Sequence, residues 1–543
     1  MTVSTTQLTP LSFLERAARV HADRTAVVHG ERRLTYMDLH DAVVTMTRAL
    51  RASGVEPGDR VAFLMPNLPE MLMAHYAVPL AGAVLVSINT RLSKGEVAYI
   101  LAHSRSKLIV ADSTLADTAV EAAGRVQTCE EVVTFVDVQA PAASGVDVPD
   151  VADGSTDFVE FLARAEQFDD DLPFDIADEF APITVNYTSG TTGKPKGVVY
   201  SHRGAHLNAL AEVIHSRHTT ESVYLWTLPM FHCNGWCTTW GITAIGGTHV
   251  CLREVRGDVI WRLIEQEGVT HLNGAPTVLT TIASSPAAGE LERPVIITTA
   301  GAPPAPATIE RMEAKGFEII HVYGLTETYG PYAVREARAE WRDLPARERA
   351  VLQARQGYAM VHADPIRVVD SAMNDVPVDG VSMGEIVMRG NGVMLGYLDD
   401  PEGTDLAFEG GWFHSGDLGV MHPDGSIELR DRAKDVVVSG GENISTIEVE
   451  QALMSHDDVV EVAVIGVPDE RWGERPKGFV VVTPDSTVTG DELVAHVQEQ
   501  IARYKAPREV VIVEELPKTS TGKIQKFELR ELEWGEHAGR IQG

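Results

Sequence analysis

Residues Tyr187–Gly197 read Y-T-S-G-T-T-G-K-P-K-G, and this stretch is the most informative part of the 543-residue chain. It holds three glycines, four serine or threonine residues and two lysines, with no acidic residue. Exposed backbone N–H groups, hydroxyls and ammonium groups suit a polyphosphate ligand. It is not a Walker A loop, because Thr188 and Pro195 stand where that motif needs a glycine and a hydroxyl. Composition alone leaves a flexible surface loop as an equal alternative.

Residue for residue, the stretch resembles the phosphate loop of the adenylate-forming (AMP-binding) superfamily. That superfamily contains acyl-CoA synthetases, aryl-CoA ligases, luciferases and the adenylation domains of peptide synthetases. The resemblance implies that a carboxylate and ATP give acyl-AMP and pyrophosphate, and that a thiol such as CoA then takes the acyl group as a thioester. The loop residues implied to bind the nucleotide are Thr188, Ser189, Gly190, Thr191, Thr192, Gly193 and Lys196. Thr188 is also implied as a Mg²⁺ ligand.

The charge balance excludes other classes of protein. There are 46 basic and 78 acidic side chains, a net charge of −32, which should repel nucleic acid and anionic membranes. The four cysteines lack the spacing of a metal site or a disulfide framework. No apolar run is long enough to insert stably into a membrane, and the chain ends R-I-Q-G rather than in a peroxisomal S-K-L signal. A cytoplasmic protein is expected, with monomer and homodimer both left open.

Short apolar runs that end in Gly, Pro or polar residues alternate with helical segments, which predicts an α/β fold with mostly parallel sheets. With the resemblance, the expected architecture is a large N-terminal AMP-binding domain over residues 1–432, made of layered α/β subdomains and a β-rich subdomain. Residues 433–543 are expected to form a small mobile α+β domain, because helix and strand patterns alternate between 446 and 513.

A second segment, H-V-Y-G-L-T-E-T-Y-G at 321–330, is similar to another signature of the superfamily. The resemblance implies that Tyr323 stacks on adenine, that Thr326 binds the α-phosphate and that Glu327 binds Mg²⁺, a cation that prefers oxygen ligands. Small residues are also implied beside the adenine, and the matching loop is Gly301, Ala302 and Pro303.

Further matches place the ribose and the domain hinge. In G-W-F-H-S-G-D-L-G, at 411–419, Asp417 would accept both ribose hydroxyls. In the segment that begins at 430, Arg432 would reach ribose or phosphate and Lys434 would be the pivot between domains. The glycine that usually precedes this arginine is Asp431 here, which leaves the local backbone open.

The small domain supplies residues for both half-reactions. Lys523, in L-P-K-T-S-T-G-K-I-Q-K, matches a mobile lysine that bridges the carboxylate and the α-phosphate and neutralises the charge that builds up there. Ser439, Gly440 and Gly441 match a loop that lines the pantetheine channel for CoA in the thioester-forming state.

The segment F-H-C-N-G-W resembles the mouth of the family's acyl pocket, which implies that His232 lies near the reacting carboxylate. In long-chain relatives, a tryptophan that matches Trp236 gates the acyl tunnel. Acetate-specific relatives have a tryptophan at the position of Gly324, so glycine is expected to leave the pocket open to acids of at least about four carbons. That inference fails if Trp236 or Tyr329 fills the gap.

The sequence thus predicts an ATP-dependent acyl-CoA ligase, most similar to medium- or long-chain fatty acyl-CoA synthetases and methylmercaptopropionate–CoA ligases. An aryl- or cinnamate-type CoA ligase and a luciferase-like oxidase share these motifs and stay open. A peptide-synthetase module would need a carrier domain after Lys523. A catalytically inactive nucleotide-binding protein should have lost Lys523 or Glu327, and both are present.

Overall fold

Most of the short apolar runs form strands, and the segments between them form helices. The computed structural model describes residues 4–141, 145, 147–188, 194–440, 442–469, 471–519 and 522–535. The phosphate-loop residues Ser189, Gly190, Thr191, Thr192 and Gly193, and Gly441 of the CoA-channel loop, lie outside the described residues.

Twenty-six strands occur in the described residues. In chain order they are β1 (Thr25–His29), β2 (Arg32–Thr35), β3 (Arg60–Leu64), β4 (Val84–Ser87), β5 (Ser106–Asp112), β6 (Glu131–Phe135), β7 (Thr156–Asp157), β8 (Pro182–Thr188), β9 (Lys196–Ser201), β10 (Val223–Leu225), β11 (Thr248–Val250), β12 (His271–Gly274), β13 (Val295–Thr299), β14 (Phe317–Leu325), β15 (Gly330–Val334), β16 (Tyr358–Ala359), β17 (Arg367–Val369), β18 (Met383–Met388), β19 (Gly396–Tyr397), β20 (Phe413–Met421), β21 (Ile427–Arg432), β22 (Val437–Ser439), β23 (Glu442–Ile444), β24 (Val459–Asp469), β25 (Gly473–Val482) and β26 (Val510–Ile512).

The right-handed α-helices of the same residues follow the strands in most of the parallel units. They are α1 (Leu11–Val20), α2 (Tyr36–Ala52), α3 (Pro69–Leu80), α4 (Lys94–Ser104), α5 (Ala116–Ala123), α6 (Phe158–Ala163), α7 (His202–His215), α8 (Thr238–Ala244), α9 (Gly257–Glu267), α10 (Pro276–Ala283), α11 (Pro306–Glu313), α12 (Ala346–Gln353), α13 (Pro401–Ala407), α14 (Thr446–Met454), α15 (Gly490–Gln500) and α16 (Lys526–Trp534).

Two large sheets carry most of the chain up to β16. One has the strand order β16-β15-β14-β13-β12-β10-β11-β1-β2 and is parallel from β14 to β1. The other has the order β19-β9-β8-β4-β3-β5-β6-β7 and is parallel from β8 to β7. The expectation of mostly parallel α/β layers is confirmed.

Two smaller sheets follow. Strands β17, β18, β20 and β21 form an antiparallel sheet, which is the expected β-rich part. Strands β22 to β26 form a separate sheet over residues 437–512, and α14, α15 and α16 belong to the same part of the chain. The fold class is therefore confirmed as a large α/β N-terminal domain with a small α+β domain.

Helix α3 lies in the main core, and all of its residues are buried. Its sequence is apolar on every face, which is typical of a helix surrounded by other elements. Two polar side chains on it have partners: Glu70 pairs with Arg32 at 2.6 Å, and His75 is hydrogen-bonded at both ring nitrogens. Among the described residues, every helix is too short or too polar to traverse a lipid bilayer.

Candidate active site

All four sheets contribute to one region, at the carboxyl ends of parallel strands, where ligands of open α/β sheets usually bind. Strand β8 ends at Thr188, directly before the phosphate loop, and β9 resumes at Lys196. Strand β14 delivers Tyr323 and the turn after it delivers Glu327. The small antiparallel sheet and the small domain complete the region.

The nucleotide side is built on Asp417, which is buried. The Tyr323 hydroxyl donates to Asp417 Oδ2 at 2.7 Å, and Arg432 Nε lies 3.5 Å from Oδ1. Asp417 and Arg432 are direct cross-strand neighbours on β20 and β21. The structure thus brings together three residues that the sequence predicted for adenine and ribose, although they are up to 109 positions apart along the chain.

The loop after β13 lies next to Tyr323, because β13 and β14 pair in parallel with Thr299 beside His321. Gly301 has φ +92°, a conformation that side chains with a Cβ rarely adopt. Ala302 is exposed and Pro303 is half-buried. Small residues therefore leave the edge of this strand pair accessible, as the resemblance requires for an adenine slot.

A connected set of side chains surrounds the candidate metal ligand. Tyr397 donates from its hydroxyl to Glu327 Oε1 at 3.0 Å, and burial raises the pKa of Glu327 above its ordinary value. The Lys196 ammonium lies 4.3 Å from the centre of the Tyr397 ring and pairs with Asp400 at 3.1 Å. Tyr397 was not predicted as a site residue. It reaches the site because its short strand, β19, pairs with β9, and this pairing is formed only in the fold.

Thr326 is held from two sides. The Tyr200 hydroxyl donates to its carbonyl oxygen, and the Cys233 thiol lies 3.6 Å from its Oγ1. Cys233 thus links the segment with His232 to the segment expected to bind the α-phosphate. Neither Tyr200 nor Cys233 was predicted as a site residue.

Lys523 faces this region from the small domain. The turn that carries it is closed by Thr519, whose N–H donates to the Lys523 carbonyl oxygen at 2.7 Å, and Arg91 donates to the Thr519 carbonyl at 3.4 Å. A Cβ on Gly522 would come within 2.1 Å of Thr277 Oγ1, so glycine permits this close docking. Burial, with Arg432 nearby, lowers the pKa of Lys523 to about 7.

His232 is a second titratable side chain of the expected site that lies near Lys523. Burial, assisted by the charge of Lys523, lowers the pKa of His232 to about 4, so its ring is neutral at pH 7. Its Nε2 lies 3.7 Å from the Cys233 sulfur. A neutral imidazole at this position can donate or accept a hydrogen bond without adding a second positive charge beside Lys523.

The segment after His232 has an unusual backbone. Five consecutive residues have positive φ values between 43° and 60°, and they form what we call the pocket turn, Cys233–Cys237. A left-handed conformation costs about 1–2 kcal/mol for each residue that has a Cβ, and only Gly235 lacks one. The pocket turn must therefore be held by tertiary contacts.

The structure adds a constraint at Gly324, whose expected effect on the size of the acyl pocket stays a prediction. A Cβ at Gly324 would lie 1.9 Å from the carbonyl oxygen of Gly330, because β14 and β15 approach each other closely at a bulge. A Cβ at Gly330 would in turn lie 2.7 Å from Trp236 Cδ1. The backbone around Gly324 therefore has no room for a side chain in the direction of a Cβ, and Trp236 packs beside Gly330.

Trp236 and Tyr329 are both buried. The Tyr329 ring stacks on Tyr200 at 3.9 Å between centroids, and its hydroxyl accepts from Ser201 N at 2.6 Å. Tyr329 is therefore an anchor between the turn after β14 and the start of α7. Trp236 is the side chain that packs on the β15 backbone near Gly324.

The junction between the large and small domains is fixed by Asp431. Its Oδ2 accepts from Thr446 N at 2.6 Å and from Thr446 Oγ1 at 2.9 Å, at the start of α14. The aspartate that replaces the usual glycine thus joins β21 to the small domain. Lys434 is exposed, and Asp435 pairs with Arg530 at 2.6 Å.

Ser439 and Gly440 lie at the end of β22. Ser439 pairs with Gly473 on β25, and Gly440 N donates to the Trp472 carbonyl at 2.8 Å. A Cβ at Gly440 would lie 2.5 Å from the Trp472 ring, so this loop depends on glycine. The structure places these residues in the small domain with Lys523, but on a separate hairpin.

Comparison with known proteins agrees with this geometry. The family described as AMP-binding enzyme matches residues 14–398, and the AMP-binding enzyme C-terminal domain matches residues 448–523. The chain belongs to the AMP-binding enzyme family.

Individual relatives extend the match to nearly the whole chain. A 2-methylpropanoate–CoA ligase from Humulus lupulus is 43% identical, over 98% of this chain and 96% of the relative. A 4-hydroxybutyrate–CoA ligase from Metallosphaera sedula is 44% identical, over 96% and 94%. The ATP-bound structure of MatB from Rhodopseudomonas palustris has a TM-score of 0.81 at 26% identity and covers 97% of this chain and 100% of that one.

Proposed function

We propose that this enzyme is an ATP-dependent ligase that joins a short-chain or branched carboxylic acid to CoA through an acyl-AMP intermediate. The observation that carries the proposal is the convergence of Lys523, Thr326 and Glu327 beside the neutral His232. The predicted enzyme class, an acid–thiol ligase of the AMP-binding family that uses ATP, Mg²⁺ and CoA, agrees with the named relatives.

The size of the acid follows from Trp236. Because Trp236 packs on Gly330, and Gly330 fills the space beside Gly324, the wall of the proposed acyl pocket lies close to Thr326. This arrangement supports a small acid, of about the four carbons that Gly324 was expected to admit, rather than the medium-chain acid that the other motifs resemble. The names of the relatives, 2-methylpropanoate–CoA ligase and 4-hydroxybutyrate–CoA ligase, also favour a small acid.

The residues at the site can carry out acid activation. Two anions, the carboxylate and the α-phosphate, must approach each other, and a protonated Lys523 between them would stabilise the charge that develops. No described carboxylate forms an ion pair with Lys523, so its ammonium group is not neutralised by a fixed partner. Thr326 would orient the phosphate, and the neutral His232 ring would orient the acid.

The donor set fits Mg²⁺. Glu327 offers one carboxylate, which Tyr397 orients through Oε1, and Mg²⁺ commonly takes one or two carboxylates together with substrate phosphates. Within the described part of the chain, no three His, Cys, Asp or Glu side chains could hold a metal ion by themselves. When bound, the ion would neutralise phosphate charge; Thr188, at the end of β8, is the second proposed ligand.

We further propose that residues 433–543 rotate about Lys434 between the two half-reactions. Lys523 lies near Arg432 and Asp417 of the site, whereas Ser439 and Gly440 contact Gly473 and Trp472 on another hairpin of the small domain. A hinge of a few residues can absorb such a movement.

The proposed location is the cytoplasm.

The decisive experiment measures pyrophosphate release with acetate, 2-methylpropanoate, 4-hydroxybutyrate, octanoate and cinnamate, each with and without CoA. The proposal expects the highest kcat/KM for one of the small acids and acyl-CoA formation only with CoA present. Preference for octanoate or cinnamate would overturn the small-acid assignment. Peroxide or light from the adenylate would favour the luciferase-like alternative.

A further inference from the structure

The pocket turn directly follows His232, the residue proposed to orient the acid, and its left-handed backbone has to be maintained by contacts from outside. Asn234, in its second position, is fully buried and has φ 43°. Gly235, in its third position, has no room for a side chain, because a Cβ would lie 2.6 Å from the Trp226 ring. Of these two buried residues, only Asn234 can form polar side-chain contacts.

Asn234 is bound on both sides by buried polar groups. Asn186 Nδ2 donates to Asn234 Oδ1 at 2.5 Å, and the Asn234 backbone N–H donates to Asn186 Oδ1 at 3.2 Å. On the other side, Asn234 Nδ2 donates to His75 Nε2 at 2.9 Å. We call Asn186, Asn234 and His75 the relay.

The protonation state of His75 is fixed by its second partner. Its Nδ1 lies 2.7 Å from the Met71 carbonyl oxygen and must donate to it, which leaves Nε2 as the acceptor for Asn234. Burial lowers the pKa of His75 to about 4, so the ring stays neutral at pH 7. The three side chains therefore form one hydrogen-bonded chain with a single direction.

The relay connects elements that serve different substrates. Asn186 lies on β8, two residues before Thr188 and the phosphate loop, while Asn234 lies between His232 and Trp236. Ser87 adds a second link, because its hydroxyl contacts both Asn186 Oδ1 at 3.3 Å and the Phe231 carbonyl at 3.1 Å. His75 connects all of them to the buried helix α3.

We propose that the relay is a positioning device that keeps the pocket turn left-handed and Trp236 on Gly330, and thereby limits the size of the acid. None of its side chains needs to touch substrate. This inference rests on the proposed function, because its readout is the choice among acids. Breaking the relay should let the pocket turn relax and Trp236 move away from Gly330.

The test is His75→Leu, which removes the acceptor for Asn234 while preserving most of the buried volume. The expected result is an increase of about tenfold in KM for the preferred small acid, since a buried amide donor loses its partner. KM for ATP should change by less than about twofold, because Tyr323 and Asp417 are untouched. The preference for the small acid over octanoate should fall by about tenfold as well.

Two further variants separate positioning from loss of stability. His202→Leu is the matched control, because His202 is a buried imidazole with a single side-chain partner, Thr9, at 2.9 Å. It should lower the melting temperature without changing acid preference. Asn234→Gly adopts positive φ without cost but cannot form the relay, so it should reproduce the altered acid preference even if His75→Leu folds poorly.

Combining His75→Leu with Asn234→Gly should change acid preference no further than either variant alone, because both break the same chain. An unchanged ratio of small acid to octanoate in folded Asn234→Gly overturns the relay. Parallel changes in KM for acid and for ATP do the same. If the wild type releases pyrophosphate with none of the acids, the proposed function fails and the relay with it.

Discussion

Lys523 and Lys526 are three residues apart in the small domain, yet their pKa values move in opposite directions. Burial and the charge of Arg432 lower the pKa of Lys523 to about 7. Lys526 is also desolvated, but Glu450, Asp431 and Asp435 raise its pKa above the ordinary value. The difference lies in the carboxylates around each ammonium group and not in the sequence motif that the two lysines share.

The acidic residues show the same contrast. Glu450 lies 2.7 Å from Lys526 Nζ and also accepts from Val464 N at 2.8 Å. Glu327 has a tyrosine hydroxyl as its side-chain donor and no ion pair with a described lysine or arginine. The charges at the domain junction are therefore balanced by fixed partners, while Lys523 and Glu327 at the active site have no ion-pair partner among the described residues and are left to interact with anionic substrates and a cation.

Lys523→Ala removes the ammonium group that has no ion-pair partner among the described residues, and this variant should show the largest effect. Loss of one preorganised charge donor is expected to slow acyl-AMP formation about 100- to 1000-fold. Thioester formation from chemically supplied acyl-AMP should stay close to the wild-type rate. The two half-reactions are assayed separately, and normal pyrophosphate release in the variant would remove Lys523 from the mechanism.

Lys526→Met removes the ammonium group that pairs with Glu450 at the domain junction. It leaves Glu450 and Asp431 largely buried without their cation, so the free energy of unfolding should fall by about 3 kcal/mol. Urea unfolding measures this loss. At temperatures where the variant is folded, kcat for pyrophosphate release should be within about twofold of the wild type, since Lys526 does not reach the site. A catalytic defect as large as that of Lys523→Ala would break the contrast between the two lysines.

Tyr397→Phe removes the side-chain hydrogen bond that the Glu327 carboxylate accepts from the Tyr397 hydroxyl. Loss of a partner that orients a metal ligand is expected to raise the Mg²⁺ concentration for half-maximal rate about tenfold. Tyr332→Phe is the control, because the Tyr332 hydroxyl binds the Asp364 carbonyl at 2.9 Å, away from Glu327. Equal Mg²⁺ requirements in the two variants would argue against Glu327 as the ligand.

The change of kcat/KM with pH is expected to be the smallest of these effects. Because the pKa of Lys523 is lowered to about 7, the free enzyme loses the positive charge as pH rises through that value. The kcat/KM for the acid should then fall about fivefold between pH 7 and pH 8. The pKa of His232, about 4, lies outside this range. Lys523→Arg, whose side chain stays protonated, should flatten the profile; a decline that persists in it would assign the titration to another group.

Some residues could be assigned from the sequence because their chemistry is written in contiguous segments. Tyr323, Thr326 and Glu327 lie within five positions of one strand and the turn after it, and the structure keeps them together. Asp417 and Arg432 lie on adjacent strands of one hairpin. The family and the reaction class could therefore be predicted, while the roles of these residues at the nucleotide stay predictions.

The acyl side depends on contacts between distant segments, which no single motif contains, and the roles expected of its residues stay predictions. Asn234 meets Asn186 from 48 positions away and His75 from 159 positions away. The surroundings of Gly324 also depend on the fold, because Gly330 approaches it only where β14 and β15 pair, and Trp236 comes from another segment.

The sequence by itself therefore determined the α/β class, the order of the motifs and the residues expected at the nucleotide, because each of these depends on local patterns of residue type. The tertiary structure decided the charge state of Lys523, the position of Trp236 and the left-handed pocket turn. Each of these depends on desolvation and on side chains that only folding brings within hydrogen-bonding distance.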